Sequence, residues 1–202
     1  MESSFGVPPI PSGRRPVFID RDGVMNVDIS PYVTHVELLE IFPYTVEALK
    51  LLHESGHDIF VISNQQGVAK GLTPPQELEK INEEFQSRLR PHGFEIKKFY
   101  YCTALKSENH PWRKPAPGMI HAACEEFGHS VEGSFFIGDK WSDIECGVNA
   151  GCRPVLVLSG VTGAEEWKEW RVQPELVFGD LLEAARFISG GVSELLARAG
   201  LS

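Results

Sequence analysis

The chain has 202 residues, 42% of them hydrophobic and 23% charged, with a net charge of −9 at pH 7. That length suits one domain with a sizeable core, and the acidic balance, with no basic stretch to offset it, argues against a nucleic-acid partner. No apolar run reaches the roughly 20 residues that span a bilayer, which argues against a membrane partner. A small anionic substrate stays open, because a few local cations and a metal can reverse the field inside a cleft.

The opening "MESSFGVPPIPSGRRP" is rich in Pro, Gly and Ser and lacks the apolar core of a signal peptide, so a flexible tail is predicted over 1–15. A single domain is expected over 16–190, followed by a C-terminal helix or tail over 191–202. The first strand is "PVFID" and the first helix "TVEALKLLHES", with Gly56 as its stop. "HDIFVISN" reads as a strand, and a helix is predicted from about Pro74 to Arg90 with proline at its start. "IKKFYYCT", "SFFIGD" and "RPVLVLS" are the next strands, separated by helices over "PGMIHAACEEFG" and "SDIECGVNAG". After Ser159 the pattern predicts a helix near Glu165–Trp170, a short "ELVF" strand and one or two helices. Short, strongly apolar strands alternating with amphipathic helices predict an α/β fold, a Rossmann-like parallel sheet with helices on both faces. The four cysteines (Cys102, Cys124, Cys146 and Cys152) lack C-x-x-C spacing, which predicts reduced, buried thiols and a cytoplasmic protein. The seven histidines show no metal-ligand spacing.

Ligands of such folds sit at the carboxyl ends of the strands. The polar residues that follow the strands are Asp20 and Asp22, then Ser63, Asn64 and Gln65, then Asp139, Lys140 and Asp143, with Arg113 and Lys114 ahead of the third helix. Together they make a coherent phosphoryl-transfer set. Asp20, Asp22 and Asp139 can hold Mg2+, a hard cation that takes oxygen ligands. One carboxylate can attack phosphorus, and a second, two residues on, can protonate the leaving oxygen and then activate water. A hydroxyl, an amide and a lysine can bind the phosphoryl oxygens. Each feature also has a plainer reading: a solvated turn for Asp20 and Asp22, a helix cap for Ser63 and Asn64, a helix N-terminal charge for Asp143. The order of all the features together favours the phosphoryl-transfer reading.

D-R-D-G, S-N-Q, R-K-P-x-P-G-M and G-D-K-x-x-D, in this order, resemble the four motifs of the haloacid dehalogenase (HAD) superfamily of phosphatases. "FIDRDGVMNVD", "YV", "SNQQGVAKG", "YYC", "RKPAPGM" and "IGDKWSDI" resemble its nearly capless branch of heptose-bisphosphate and histidinol phosphatases, from about Val17 to Val157. The resemblance implies little or no cap, and Asp20 as nucleophile and Mg2+ ligand. It implies Asp22 as general acid and base with its carbonyl on the metal, Asp139 as the third metal ligand, and Asp143 behind it. Ser63 would hold the phosphoryl group and Lys114 would stabilise its charge. Asn64, Gln65, Lys140, Asp28 and Tyr32 would line the substrate, and Arg113 would read the sugar or its second phosphate. The implied substrate is a small phosphorylated metabolite, a heptose 1,7-bisphosphate cut at C7, with histidinol phosphate or another monophosphate as the alternative and a non-catalytic binding module as a further one. The implied protein is a monomer or weak homo-oligomer. Relatives usually carry a zinc-binding loop between the third strand and R-K-P. Here Cys102 is followed by Thr103 and Ala104, and Trp112 stands where the last zinc cysteine would be. Cys102 and His110 alone cannot close a four-ligand site, so no zinc is expected and the loop must be held by packing around Pro111 and Trp112.

Overall fold

The computed structural model describes residues 13–198, with side chains over 13–190. Six strands form one all-parallel sheet: β1 (Arg15–Ile19), β2 (His57–Asn64), β3 (Lys98–Cys102), β4 (Phe135–Gly138), β5 (Arg153–Val157) and β6 (Leu176–Phe178), in the order β3-β2-β1-β4-β5-β6. The helices are α1 (Thr45–Glu54), α2 (Pro75–Leu89), α3 (Gly118–Phe127), α4 (Trp141–Ala150) and α5 (Leu181–Arg198).

Alternation along each strand divides the core in two. Val17, Ile19, Val61, Ile137 and Val155 face α1, α2 and α5, through Leu49, Phe85 and Ala184 among others. Phe18, Phe60, Ile62 and Phe136 face α3 and α4, through Met119, Ile120 and Cys146. Phe18 stands in register with Phe60 on one side and Phe136 on the other, an aromatic row across three strands. Burial on both faces explains why the strands read as continuous apolar runs and not as alternating ones.

The helix expected near Glu165–Trp170 is a four-residue 3-10 turn, Glu166–Glu169. It makes no buried contact that would extend it. Among the described residues a single helix, α5, follows β6, and it runs through 190/191, the expected boundary, without a break. The expected tail over 1–15 falls mostly on residues 1–12, outside the described residues. β1 already begins at Arg15, and the Arg14 guanidinium donates to Asp58 Oδ1 at 2.7 Å. Residues 199–202 also lie outside the described part. Cys102, Cys146 and Cys152 are buried, whereas Cys124 is half-buried; all four are free thiols. Among the described residues no helix is long and apolar enough to cross a membrane.

The chain leaves β1 for β2 and β3 on one side and builds β4, β5 and β6 on the other. The order therefore reverses between β1 and β4, and the crevice past their carboxyl ends is where such sheets hold ligands. Asp20 follows β1 and Asp139 follows β4, so the two acids flank that crevice. Between Asp28 and α1 the chain adds a 3-10 turn, Val36–Leu38, and an isolated bridge from Ile41 back to Asn26.

Candidate active site

Asp20, Asp139 and Asp143 are all buried, and one carboxylate oxygen from each lies within 4.8 Å of the others. Three carboxylates this close repel one another. Lys114 offsets part of that charge. Its Nζ stands 2.9 Å from Asp20 Oδ1 and 2.7 Å from Asp143 Oδ1, and donates to the Ile62 carbonyl at 2.8 Å. Burial alone would lower the Lys114 pKa, but Asp143 and Asp20 outweigh it and hold the ammonium charged. Asp143 has two tasks. Its Oδ2 accepts from the amides of Asp139 and Lys140 at the start of α4, while Oδ1 pairs with Lys114.

Asp139 is the least compensated member. Burial pushes its carboxyl up to about 8; Lys140 opposes this, and Asp143 and Asp20 add to it. Its Oδ2 accepts from the Val161 amide at 3.1 Å. Its Oδ1 is buried with no hydrogen-bond partner, and Lys140 Nζ stands 3.9 Å away. A buried carboxylate oxygen with no donor, in a set of three acids, is what a hard divalent cation would complete.

Asp22 has a separate set of partners and is tied through Gln65 to Ser63. Its Oδ1 accepts from Arg21 Nε at 3.0 Å and Asn26 Nδ2 at 2.9 Å, and its Oδ2 from Arg21 at 2.9 Å and Gln65 Nε2 at 2.8 Å. Burial would raise its pKa, but the Arg21 charge and these hydrogen bonds hold it below the usual carboxylate range. The carboxylates that converge are thus Asp20, Asp139 and Asp143; the side chain of Asp22 is not among them.

The other expected residues divide into those that line a cleft and those that hold its walls. Ser63 is buried and its Oγ accepts from Gln65 Nε2 at 3.1 Å. Gln65, expected at the substrate, is buried as a tie between Ser63 and Asp22. Asn64 exchanges two hydrogen bonds with the Lys114 main chain, Nδ2 to the carbonyl at 3.2 Å and Oδ1 from the amide at 3.1 Å. Its amide plane is therefore spent on positioning Lys114, although Asn64 also borders a cleft of about 410 Å3 shared with Arg113 and Lys114. Arg113 is half-buried and donates to the Ala104 carbonyl and to Gln66 Oε1. Gln66 in turn donates to the Tyr32 hydroxyl, which also accepts from Lys70. Lys140 pairs with Asp28 at 2.8 Å.

Sequence reading missed three contributors. Arg21 sits inside the D-R-D-G stretch and is wholly buried, yet only the fold shows that its fork closes on Asp22. Gln66 links Arg113 to Tyr32. The loop after β5 also went unread: Ser159 Oγ donates to the Gly23 carbonyl, Thr162 Oγ1 donates to the Asp139 carbonyl, and Gly160 lies against the Asp139 side chain. Its place at the carboxyl end of a strand was the available signal. A Cβ on Gly160 would meet Asp139 Oδ2 at 2.0 Å, and one on Gly23, whose φ is +85°, would meet the same oxygen at 2.4 Å. Gly160→Ala is expected to destabilise the protein by about 1–3 kcal/mol, the usual cost of overpacking. Urea denaturation measures it; an unchanged midpoint would show that the loop has room to move.

Packing and hydrogen bonds both contribute to the loop after β3, the latter including the Trp112 amide to His110 Nδ1 and Arg113 to the Ala104 carbonyl. Trp112 meets Tyr100 edge-on with ring centroids 6.0 Å apart, and the Pro111 carbonyl accepts from the Gly118 amide at 3.1 Å. Cys102 Sγ and His110 Nδ1 lie 3.9 Å apart.

The HAD-hydrolase-like family model matches residues 111–184. The chain is 35% identical to the D-glycero-D-manno-heptose-1,7-bisphosphate 7-phosphatase of Chlorobaculum tepidum, over 83% of this chain and 90% of that one. It is 33% identical to the D-glycero-beta-D-manno-heptose-1,7-bisphosphate 7-phosphatase of Pseudomonas putida, over 84% and 97%. The crystal structure of the D,D-heptose 1,7-bisphosphate phosphatase of B. bronchiseptica, complexed with magnesium and phosphate, superposes with a TM-score of 0.80 at 26% identity, covering 89% of this chain and 99% of that one. The chain belongs to the HAD-like family of phosphatases, in the branch that holds these heptose-bisphosphate enzymes.

Proposed function

We propose that the chain is a Mg2+-dependent phosphatase of a sugar phosphate, D-glycero-D-manno-heptose 1,7-bisphosphate cut at C7, acting through an aspartyl-phosphate. The observation that carries the reading is the buried group of Asp20, Asp139 and Asp143 with Lys114 in ion-pair contact with two of them. The relatives that match most of the chain carry the substrate in their names.

Asp20 and Asp139 would hold the cation, with the main-chain carbonyl of Asp22, and Asp143 would back Asp139 through its amide. When bound, Mg2+ supplies a fixed positive charge that screens Asp20 from the phosphoryl oxygens. Lys114 and the Arg21 amide both contact Asp20 Oδ1, which leaves Oδ2 to attack phosphorus. The Oδ2–P bond forms as the bond from phosphorus to the C7 oxygen breaks, and that oxygen takes its proton from Asp22. The resting Asp22 is held ionised. A dianionic phosphoryl group close by raises its pKa by like-charge repulsion, so that it can take up the proton it must give. Asp22 then accepts a proton from water, which attacks phosphorus and releases phosphate from Asp20. Ser63 and Lys114 bind the phosphoryl oxygens throughout.

Arg113 has the planar fork to grip a second phosphate. Arg113→Ala is expected to lower kcat/KM for a heptose bisphosphate by roughly 1.5–3 kcal/mol, the range for a hydrogen bond to a charged group. The loss for a monophosphate should be much smaller. Steady-state phosphate release on both substrates tests this. Equal losses would turn the reading towards a monophosphate such as histidinol phosphate.

Activity is expected to vanish on chelation and return with Mg2+. Elemental analysis of the purified protein should find no stoichiometric zinc, because Cys102 and His110 supply half of a closed site; about one zinc per chain would contradict this. We place the protein in the cytoplasm, in keeping with its four free thiols, and propose a monomer or weak homo-oligomer.

A further inference from the structure

The cleft beside Lys114 has features that the transfer of one phosphoryl group does not use. It runs past Arg113 to Lys106 and His110 in the loop after β3, and to Trp141 and Ser142 at the start of α4. Lys114 and Lys140 are both spent on buried or half-buried acids. Among the described residues, Lys106 and Arg113 form no ion pair; Arg113 bonds only to a carbonyl and an amide oxygen. Two cations without an ion-pair partner thus border one cleft, in a chain of net charge −9, and can serve an anionic group there.

The second feature is the indole of Trp141, 48% exposed. A single exposed tryptophan is unexceptional by itself. This one borders a polar cleft, one residue beyond Lys140 and two beyond Asp139. Trp112 is half-buried against Tyr100 and the α3 face of the core, and serves the fold, while Trp170 borders a separate cleft with Trp141, Glu145 and Arg171. An indole is a wide, rigid apolar platform, and the C–H face of a sugar ring is its natural complement.

We infer that Lys106 and Trp141 form a subsite for the part of the substrate that leaves: Trp141 packs on the carbon face of the sugar ring, and Lys106 joins Arg113 on its remote anionic group. This rests on the sugar-phosphatase reading above and names the residues that confer its specificity. The site thereby takes a ring sugar with a second negative charge in preference to a short acyclic phosphate. Lys106 belongs to the loop that lacks the zinc cysteines, so this loop supplies a cation to the cleft.

The test compares Lys106→Ala, Trp141→Ala and Trp141→Phe with the unmodified chain on three substrates: a sugar bisphosphate, the matching monophosphate and glycerol phosphate. All variants are at exposed positions, and circular dichroism checks their fold. Lys106→Ala should lower kcat/KM for the bisphosphate about tenfold at low salt and for the monophosphate about threefold less than that, with the difference shrinking near 1 M salt, where screening reaches ~3 Å. Trp141→Ala should raise KM for both sugars about tenfold, with kcat little changed, and should affect glycerol phosphate far less. Trp141→Phe should restore most of the loss. Sugar-phosphate turnover with variant losses equal on all three substrates would overturn this inference alone. Turnover of glycerol phosphate without turnover of either sugar would overturn the sugar-phosphate reading and this inference together.

Discussion

Asp20→Asn is expected to abolish phosphate release while the protein stays folded. The amide keeps the shape of the carboxylate, and its oxygen can still accept from the Arg21 amide and from Lys114. What it loses is the nucleophilic charge, and a covalent route cannot proceed without it. The fall in kcat should be on the order of 10⁴-fold or more, the scale seen when a nucleophile is removed from other hydrolases. Stability should change little. Asp20 is one of three clustered acids, so removing its charge relieves repulsion with Asp139 and Asp143 while weakening one contact to Lys114. Circular dichroism and a thermal melt check the fold, and rapid quench with labelled substrate checks the chemistry. The unmodified chain should yield a hydroxylamine-labile phosphoprotein and the variant none. Substantial turnover by the variant would remove Asp20 from the nucleophile's place.

Lys114→Met should be the most destabilising change at the site. Lys114 is buried, and its ammonium holds two buried carboxylates and a carbonyl. Methionine fills similar space but leaves Asp20 and Asp143 without their counter-ion, at a cost of about 3–5 kcal/mol. The pH dependence has a definite sign. In the unmodified chain the Lys114 pKa is raised on folding, so its contribution is complete below the ordinary lysine range and fades only as pH rises through the folded value. In the variant Asp143 keeps the burial and the neighbouring Asp20 carboxylate that raise its pKa even with Lys114 present, and Asp139 is raised in the same way. Protonation then favours the folded state, so the deficit should shrink between about pH 8 and pH 5. Urea denaturation of both proteins at the two pH values measures it. A deficit below about 1 kcal/mol, or one that does not move with pH, would show that the lysine is not the counter-ion. Activity should fall by about 10²–10³-fold in refolded or stabilised samples, as for loss of one donor to a developing oxyanion.

Both predictions depend on residues that the one-dimensional pattern already singled out. Strands buried on two faces must be apolar throughout, so β1, β2, β4 and β5 were legible as runs, and the polar residue after each run had to fall at one end of the sheet. Asp20, Ser63 and Asp139 were readable for this reason, and Lys114 from its place ahead of the third helix. The element after Ser159 was less legible. Amphipathic spacing near Glu165–Trp170 resembles a helix, but nothing is buried there to extend it, and a 3-10 turn results.

The sequence by itself determined the sheet, its two helical faces and the acids at its carboxyl end, because periodicity and strand-end chemistry are local properties. The tertiary structure decided how those acids divide. Asp20, Asp139 and Asp143 converge because β1 and β4 are neighbours across the point where the strand order reverses. Asp22, only two residues from Asp20, turns instead to the buried fork of Arg21 and to Gln65. Gln65 and Asn64 also serve as supports, through bonds to Asp22 and to the Lys114 main chain, which lie 43 and 50 residues away in the chain. The glycine fit around Asp139 brings Gly23 and Gly160 together from the ends of β1 and β5. Contacts over such separations carry no local signal; they exist only once the strands have paired.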